Sequence, residues 1–209
     1  MLQKLRPRSF STDYLFVGTD RYNYFTLSWD PSSKQLKTEK SYVDLADKNG
    51  RDSQSRDRCY VDPTRQFLVL ELYEGIMTVV PLFYVRKEKG EDKEELEIRE
   101  LVGTPGEPIP VRIGEIFVRS SAFLHPRLPP SKEDNPRLVL LYDDGHENGR
   151  VKLKIRSLAM IDSPESMGQL GSAEFESERH LRINVDPTAS HLIPVPAPVC
   201  ESERSTFKT

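Results

Sequence analysis

The segment YDDGHENG holds a small group of potential metal ligands, in which His146 stands near Asp143, Asp144 and Glu147. Carboxylate oxygens and an imidazole nitrogen can together hold a divalent cation. The spacing is not that of an EF-hand loop, and acids mixed with glycines are also typical of a hairpin tip. We therefore interpret the segment as a hairpin tip and predict no metal site.

The other histidines and the cysteines show no catalytic pattern. His125, His180 and His191 are far apart, and none stands in a ligand motif. A nucleophile needs a neighbouring base, and Cys59 lies just before an apolar run, where a buried and inert thiol is expected. The segment LVGTPGEP has two glycines but no P-loop lysine, so it predicts a turn. The sequence thus predicts neither an enzyme nor a cofactor.

Aromatic residues are concentrated near the start of the chain. Six of them lie close together: Tyr14, Phe16, Tyr22, Tyr24, Phe25 and Trp29. A stacking platform for single-stranded nucleic acid needs such groups, but it also needs interleaved basic residues, and only Arg21 is present. The net charge of −3 and the pI near 5.9 likewise show no basic footprint. Packing within strands is the better explanation of these aromatics.

The composition is that of a globular chain with short elements. The 209 residues suffice for one domain with a sizeable core. Sixteen prolines outnumber eleven glycines, which favours loops and short strands over long helices. With Cys59 and Cys200 as the two cysteines, the chain fits a reducing compartment better than a disulfide scaffold. No stretch approaches 18 consecutive apolar residues, so we predict no membrane span.

One pattern recurs along the chain: an apolar run, a polar turn and a second run. The first runs begin near Leu15, Phe67, Leu138 and Leu192. A continuous run such as FLVLEL predicts a strand buried on both faces, and the alternation in VKLKIR predicts a strand with its charged face in water. Proline-containing pairs set a turn before three of the runs: Asp62-Pro63, Asn135-Pro136 and Asp186-Pro187.

The repeats are about 50 to 70 residues apart, the scale of a four-stranded propeller blade with insertions. An antiparallel sandwich with similar hairpins is the alternative. The run VRKEKGEDKEELEIRE mixes both charge signs densely. It could be a docking tail, but a solvated loop or an outer strand is the simpler interpretation.

The second hairpin resembles a known family. VDPTRQFLVLELYEGIMTVVPL is similar to the first propeller of the adaptor family that includes DNA damage-binding protein 1, where an Asp-Pro turn leads into an apolar strand, a Leu-Tyr-acid-Gly turn and a second strand. The matching positions are Asp62, Pro63, Arg65, Leu72, Tyr73, Glu74, Gly75, Val80, Pro81 and Leu82. TDYLF, which contains Asp13 and Tyr14, and the following RYN match about one blade earlier.

The resemblance implies an all-β fold, a partial β-propeller of about two and a half to three four-stranded antiparallel blades. On this basis we divide the chain into an N-terminal tail (residues 1–11), a partial first β-propeller domain (residues 12–199) and a C-terminal tail (residues 200–209). Members of the family are much longer and have three propellers, so we expect a fragment or a shortened gene product.

The resemblance also implies a function: a non-enzymatic scaffold that links substrate receptors to a cullin-4 ubiquitin ligase in DNA repair, expected in the nucleus with the cytoplasm as a second location. The middle propeller, which contacts the cullin in the family, is absent from these residues. The alternative is a component of pre-mRNA cleavage, polyadenylation or splicing with nucleic-acid association, as in other relatives. The identity of the partners distinguishes the two, and the sequence does not indicate which residues contact them.

Two further expectations follow. An open arc of blades needs the remainder of the propeller, or another copy, to cover its ends. The active site of a hydrolase built on a propeller would need acidic side chains that converge at the central channel. Asp13, Asp62 and Asp186 recur at the starts of strands, but their role in turns explains them without catalysis.

Overall fold

The computed structural model describes residues 1–6, 12–42, 50–53, 57–89, 95–101, 106–126, 135–145, 150–161, 172–177 and 185–195; between residues 83 and 101 it describes the backbone alone. Fourteen strands and no α-helix are present in these ranges, so the predicted all-β class is confirmed. In this described part of the chain, no helix is long and apolar enough to cross a membrane.

Twelve strands form three antiparallel four-stranded sheets, here called blades 1 to 3. Blade 1 has the order β1-β2-β3-β4: Leu2–Leu5, Tyr14–Gly18, Tyr24–Asp30 and Gln35–Tyr42. Blade 2 has the order β5-β6-β7-β10: Arg58–Val61, Phe67–Tyr73, Ile76–Pro81 and Ile109–Arg112. Blade 3 has the order β11-β12-β13-β14: Val118–Phe123, Arg137–Asp144, Arg150–Ile161 and Ser172–Ser177.

The blades follow one another as an open arc. The innermost strands β1, β5 and β11 are neighbours, and the outer strands β10 and β14 contact each other. The hairpins β2–β3, β6–β7 and β12–β13 are the first three predicted repeats. The partial β-propeller is therefore confirmed.

Blade 2 is the centre of the arc because both of its faces are apolar. Every residue of β6 is buried, as the continuous run FLVLELY predicts. Side chains alternate across a strand, so one set packs on blade 1 and the other on blade 3. The core toward blade 1 consists of Leu5, Phe16, Tyr24, Tyr42, Leu68, Leu70, Leu72, Tyr73, Val80 and Leu82. The core toward blade 3 consists of Phe67, Val69, Met77, Val79, Val111, Ile113, Val118, Phe123, Leu138, Leu140, Leu158 and Phe175.

The prediction of an N-terminal tail is wrong for residues 2–5. Leu2–Leu5 form β1, the innermost strand of blade 1, in register with β2. The Met1 amino group donates to the Gly18 carbonyl (3.1 Å), and the Gly18 amide donates to the Met1 carbonyl (2.9 Å). A strand of four residues is too short for alternation to be read from the sequence. The predicted C-terminal tail and Cys200 lie outside the described residues.

Two other segments differ from expectation. The charged run VRKEKGEDKEELEIRE forms most of a separate hairpin of β8 (Phe83–Lys89) and β9 (Glu95–Leu101). The short β10 takes the outermost place in blade 2. The fourth repeat begins with its Asp-Pro turn, but residues 185–195 contain no strand. Proline at positions 187 and 194 removes backbone donors that a ladder needs.

The prediction that the charged face of β13 lies in water is wrong at Lys154 and Arg156. This face turns toward blade 2, where Glu115, in the loop between β10 and β11, receives two charged side chains. Arg156 Nε and Nη2 donate to the Glu115 carboxylate at 2.7 and 2.9 Å, and Lys154 Nζ lies 2.6 Å from it. Arg156 Nη1 also donates to the Phe175 carbonyl (2.8 Å). Alternation could not reveal this because the neutralising acid comes from another segment.

We expect Glu115→Ala to lower the free energy of unfolding by about 3 kcal/mol, because it leaves the buried Arg156 and the partly buried Lys154 without a carboxylate. Urea denaturation of the purified chain measures this. Glu107→Ala is the matched control: its side chain is 74% exposed and pairs with Lys40 at the surface, so a change below about 0.5 kcal/mol is expected. Equal losses in the two variants would contradict the assignment of Glu115 as a buried clamp.

Candidate protein-interaction surface

The residues that carry the family resemblance divide between the two ends of the blades. The end at which β2 and β6 begin is called the Asp62 end, and the end at which they finish is called the Glu74 end. The Asp62 end holds Asp13, Tyr14, Asp62, Pro63, Arg65, Val80, Pro81 and Leu82. The Glu74 end holds Leu72, Tyr73, Glu74 and Gly75. The structure thus separates these residues into two groups.

The Asp62 carboxylate organises the turn that leads into β6. One oxygen accepts the Thr64 amide (2.8 Å) and hydroxyl, and the other accepts the amides of Gln66 (2.7 Å) and Phe67 (2.6 Å). Pro63 presets the backbone between them. Burial raises the pKa of Asp62, and these hydrogen bonds oppose that rise. The carboxylate is therefore a buried structural acceptor.

Asp13 stands at the corresponding place before β2 but is used differently. It lies at the surface and forms ion pairs with Arg6 and with Lys4 (3.0 Å). The hydrogen bond from Arg6, followed by that from Lys4, lowers the pKa of Asp13 to about 2. Asp13 thus joins β1 to β2 by surface ion pairs, whereas Asp62 closes a turn.

The Asp62 turn is repeated at Asp186 because VDPT occurs twice in the chain. Asp186 accepts the Thr188 amide (2.8 Å) and hydroxyl (2.6 Å), as Asp62 does from Thr64. The second turn lies against blade 3, where Arg119 Nη1 donates to the carbonyls of Pro187 (2.8 Å) and Ala189 (2.9 Å). Unlike Asp62, Asp186 is exposed.

The two turns provide a matched pair of substitutions. We expect Asp62→Ala to lower the free energy of unfolding by about 3 kcal/mol, because buried amides lose their acceptor. Asp186→Ala should change it by less than about 0.5 kcal/mol, because water can replace the exposed carboxylate. Urea unfolding curves of the two variants and the parent chain test this, and a comparable loss at Asp186 would refute it.

The candidate metal ligands and the Cys59 thiol have structural roles where the structure describes them. Asp143 pairs with Arg119 (2.7 Å) and Asp144 with Lys152, while His146 and Glu147 lie outside the described residues. Burial raises the pKa of the Cys59 thiol to about 11, so this thiol is protonated at neutral pH. Over the described ranges, no cluster of three or more His, Cys, Asp or Glu residues could hold a metal ion.

A small cleft lies at the Asp62 end between blades 2 and 3. It is lined by the Asp62 turn and by two short segments of blade 3, residues 124–126 and 135–137, so that His125 stands in its wall. Its internal volume is about 20 Å³. Sites for small molecules are usually at least ~300 Å³, so the cleft is too small for a metabolite.

A buried carboxylate joins blade 2 to blade 3 near the innermost strands. Glu71 accepts hydrogen bonds from Arg58 Nη2 (3.1 Å), the Tyr60 hydroxyl (3.0 Å) and the Ser121 hydroxyl (3.0 Å). Arg58 also donates to the Val118 carbonyl (3.0 Å). Burial raises the pKa of Glu71, and the Arg58 charge opposes this. The network fixes the relative position of two blades.

At the Glu74 end, a four-residue segment crosses the edge of blade 2. We call residues 50–53 the strap. The Ser53 amide donates to the Leu72 carbonyl (3.1 Å), and the Glu74 amide donates to the Arg51 carbonyl (2.8 Å). The strap therefore pairs with the end of β6 as a short antiparallel bridge, with Asp52 opposite Tyr73.

The strap is also fastened to blade 1. The Tyr22 hydroxyl donates to Asp52 Oδ1 (3.0 Å), and the rings of Tyr22 and Tyr73 stack with their centroids 5.6 Å apart. The hydrogen bond to Asp52 is the main reason why the pKa of Tyr22 is raised to about 12. Gly50 is needed here because a Cβ at this position would lie 2.6 Å from the Tyr73 ring.

The loop between β10 and β11 completes this surface. The Phe117 amide donates to Glu74 Oε2 (2.8 Å), and the Arg51 guanidinium lies 5.6 Å from the centroid of the Phe117 ring. Ile116 lies over Gly75, whose φ of 72° places it in the left-handed region. Turns of blades 1 and 2 and the connection between blades 2 and 3 thus meet at the strap.

The backbone is strained on both sides of the strap. Tyr22 and Phe117 each have a φ of 55°, a conformation that bulky residues rarely adopt. Such residues cost about 1–3 kcal/mol each and persist where surrounding contacts hold them. The hydrogen bonds to Asp52 and Glu74 supply these contacts.

Sequence reasoning found only part of this surface. Tyr22 belongs to the family match, as do Tyr73 and Glu74, but Arg51 and Asp52 stand in a polar stretch that carries no motif. Ile116 and Phe117 were not singled out. An apolar pair inside a short loop after Gly114 is the one signal that could have drawn attention to them.

Blades of this kind, with loops gathered at each end, define a β-propeller module. The family model described as "RSE1/DDB1/CPSF1 first beta-propeller" matches residues 1–206, so the chain belongs to this family, and the predicted family is confirmed.

Several relatives carry the same name. DNA damage-binding protein 1a of Arabidopsis thaliana is 28% identical over 202 residues, which cover 95% of this chain and 15% of the relative. DNA damage-binding protein 1 of Schizosaccharomyces pombe is 28% identical over 143 residues, 68% of this chain and 12% of the relative. That of Drosophila melanogaster is 25% identical over 200 residues, 95% of this chain and 14% of the relative. The chain thus spans a small part of these proteins.

Proposed function

We propose that this chain is a non-enzymatic protein-interaction scaffold and part of a nuclear adaptor that links substrate receptors to a cullin-4 ubiquitin ligase in DNA repair. The observation that carries the proposal is membership in the first-propeller family, together with relatives named for DNA damage binding.

The physical features of the blades support a scaffold. The buried carboxylates of Asp62, Glu71 and Glu115 each serve as structural acceptors within or between blades. Junctions of this kind hold the described turns, such as those at Asp62 and Glu74, in fixed positions, which lowers the entropy lost when a partner binds. Because the chain matches the first propeller, whereas the family resemblance gives the cullin contact to the middle propeller, we assign the chain to the receptor side of the adaptor.

The alternative is a role in pre-mRNA cleavage and polyadenylation or in splicing. The description of the family names RSE1 and CPSF1 beside DDB1, so membership in the family is compatible with both functions. The names of the relatives favour the adaptor, and the net charge of −3 argues against direct binding of a polyanion.

Affinity purification of the tagged chain from nuclear extract, followed by mass spectrometry, tests the proposal. We expect ubiquitin-ligase receptors to be recovered. The Glu115→Ala variant is the control, because partners that need folded blades should be depleted with it. Polyadenylation or splicing factors in place of receptors would move the assignment to the alternative, and chaperones alone would contradict a functional scaffold.

We further propose that the remainder of the propeller, or another copy, covers the open face of blade 1. This face points away from blade 2 and is apolar along paired strands: Leu2, Leu15, Val17, Phe25, Leu27, Trp29 and Leu36. Trp29 and Leu36 face each other across β3 and β4, and each is 57% exposed. Apolar surface of this kind usually marks an interface.

We therefore expect the isolated chain to self-associate as its concentration rises, and the double variant Trp29→Glu/Leu36→Glu to do so less. Light scattering coupled to gel filtration measures this. Ile193→Glu is the control, since Ile193 is 83% exposed but belongs to the fourth repeat. A monodisperse monomer at all concentrations would argue against a sealing role for this face.

A further inference from the structure

The exposed apolar side chains differ in where they lie. Six large hydrophobic residues are exposed within the described ranges: Leu2, Trp29, Leu36, Ile116, Ile193 and Val195. The first three belong to the open face of blade 1, and the last two belong to the fourth repeat. Ile116 is 47% exposed on a loop of the Glu74 end, where packing of a further blade does not explain it.

A cation lies beside this apolar side chain. Arg51 is exposed, and its guanidinium lies over the ring of Phe117, the neighbour of Ile116, 5.6 Å from the ring centroid. Among the residues that the structure describes, no carboxylate forms an ion pair with Arg51. A guanidinium presents a planar fork of N–H donors that fits a carboxylate. The surface therefore presents an apolar contact and a carboxylate-binding group side by side.

This arrangement is ordered before any partner arrives. Tyr22 and Phe117 hold strained backbone conformations on either side of the strap, and their hydrogen bonds to Asp52 and Glu74 maintain them. Strain of this type is concentrated at binding sites. A preordered surface loses little conformational entropy on binding, so a small patch can contribute substantially to affinity.

We infer that the Glu74 end binds a segment of the receptor in which one carboxylate lies next to an aliphatic side chain. The carboxylate pairs with Arg51, and the aliphatic side chain packs on Ile116 and the Phe117 ring. This inference rests on the proposed function and deepens it by naming the contact residues and the chemistry of the partner. A nucleic-acid phosphate fits less well, because Asp52 and Glu74 lie beside Arg51 and would repel a polyanion.

Calorimetric titration of the full 209-residue chain with a purified receptor of the cullin-4 class tests the inference. Arg51→Glu and Ile116→Asp should each weaken binding by about 10-fold or more, as expected for central contacts of an interface. Arg51→Lys should give an intermediate loss, because it keeps the charge but not the planar fork.

Two matched controls lie elsewhere on the molecule. Arg65→Glu makes the same charge change at an exposed arginine of the Asp62 end, with a comparable φ of 61°. Ile193→Asp makes the same apolar-to-acid change in the fourth repeat. Both should bind the receptor as the parent chain does, and thermal melts should show that all variants remain folded.

The outcomes separate this inference from the proposed function. A receptor that binds the parent chain and the Glu74-end variants equally, or that loses affinity equally with the controls, would overturn the inference and leave the scaffold in place. A parent chain that binds no receptor would overturn both. Selective loss with Arg51→Glu and Ile116→Asp supports both.

Discussion

The whole arrangement depends on one strand that is apolar on both faces. β6 supplies Leu68 and Leu70 to the contact with blade 1 and Phe67 and Val69 to the contact with blade 3. Each buried side chain of this size contributes roughly 1.5–3 kcal/mol, so β6 is the main apolar link across the arc. The polar junctions are built around it: Glu71 lies on the same strand, and the strap holds the turn at its end.

The elements whose signals are local could be predicted from the sequence. The run FLVLELY, bounded by an Asp-Pro turn and a Glu-Gly turn, specified β6 and its hairpin, and the family match followed from these residues. The four residues of β1 gave no readable alternation. Contacts between distant segments were not predictable: Tyr22 meets Asp52 across 30 residues of chain, and Phe117 meets Glu74 across 43.

β13 shows how a correct pattern can lead to a wrong conclusion. The alternation in VKLKIR correctly predicts a strand, but its charged face is partly buried at Lys154 and buried at Arg156. Period-two alternation separates two faces without stating which one meets water. Here the apolar face points away from blade 2, and Glu115 makes it possible to bury the charged one. In stacked blades, both faces of a sheet can be interior, so polarity alone does not fix orientation.

The repeated VDPT turn has a consequence for the order of folding. All hydrogen bonds of the Asp62 carboxylate reach no more than five residues along the chain, so this turn can close before any blade has formed. Closing so short a loop requires little chain entropy and takes about 10–100 ns, whereas pairing of distant strands is much slower. At Asp186 the same four residues repeat the Thr188 part of this turn although residues 185–195 contain no strand, and there Arg119 of blade 3 also contacts the turn. Local turns of this kind are suitable starting points for the folding of successive blades.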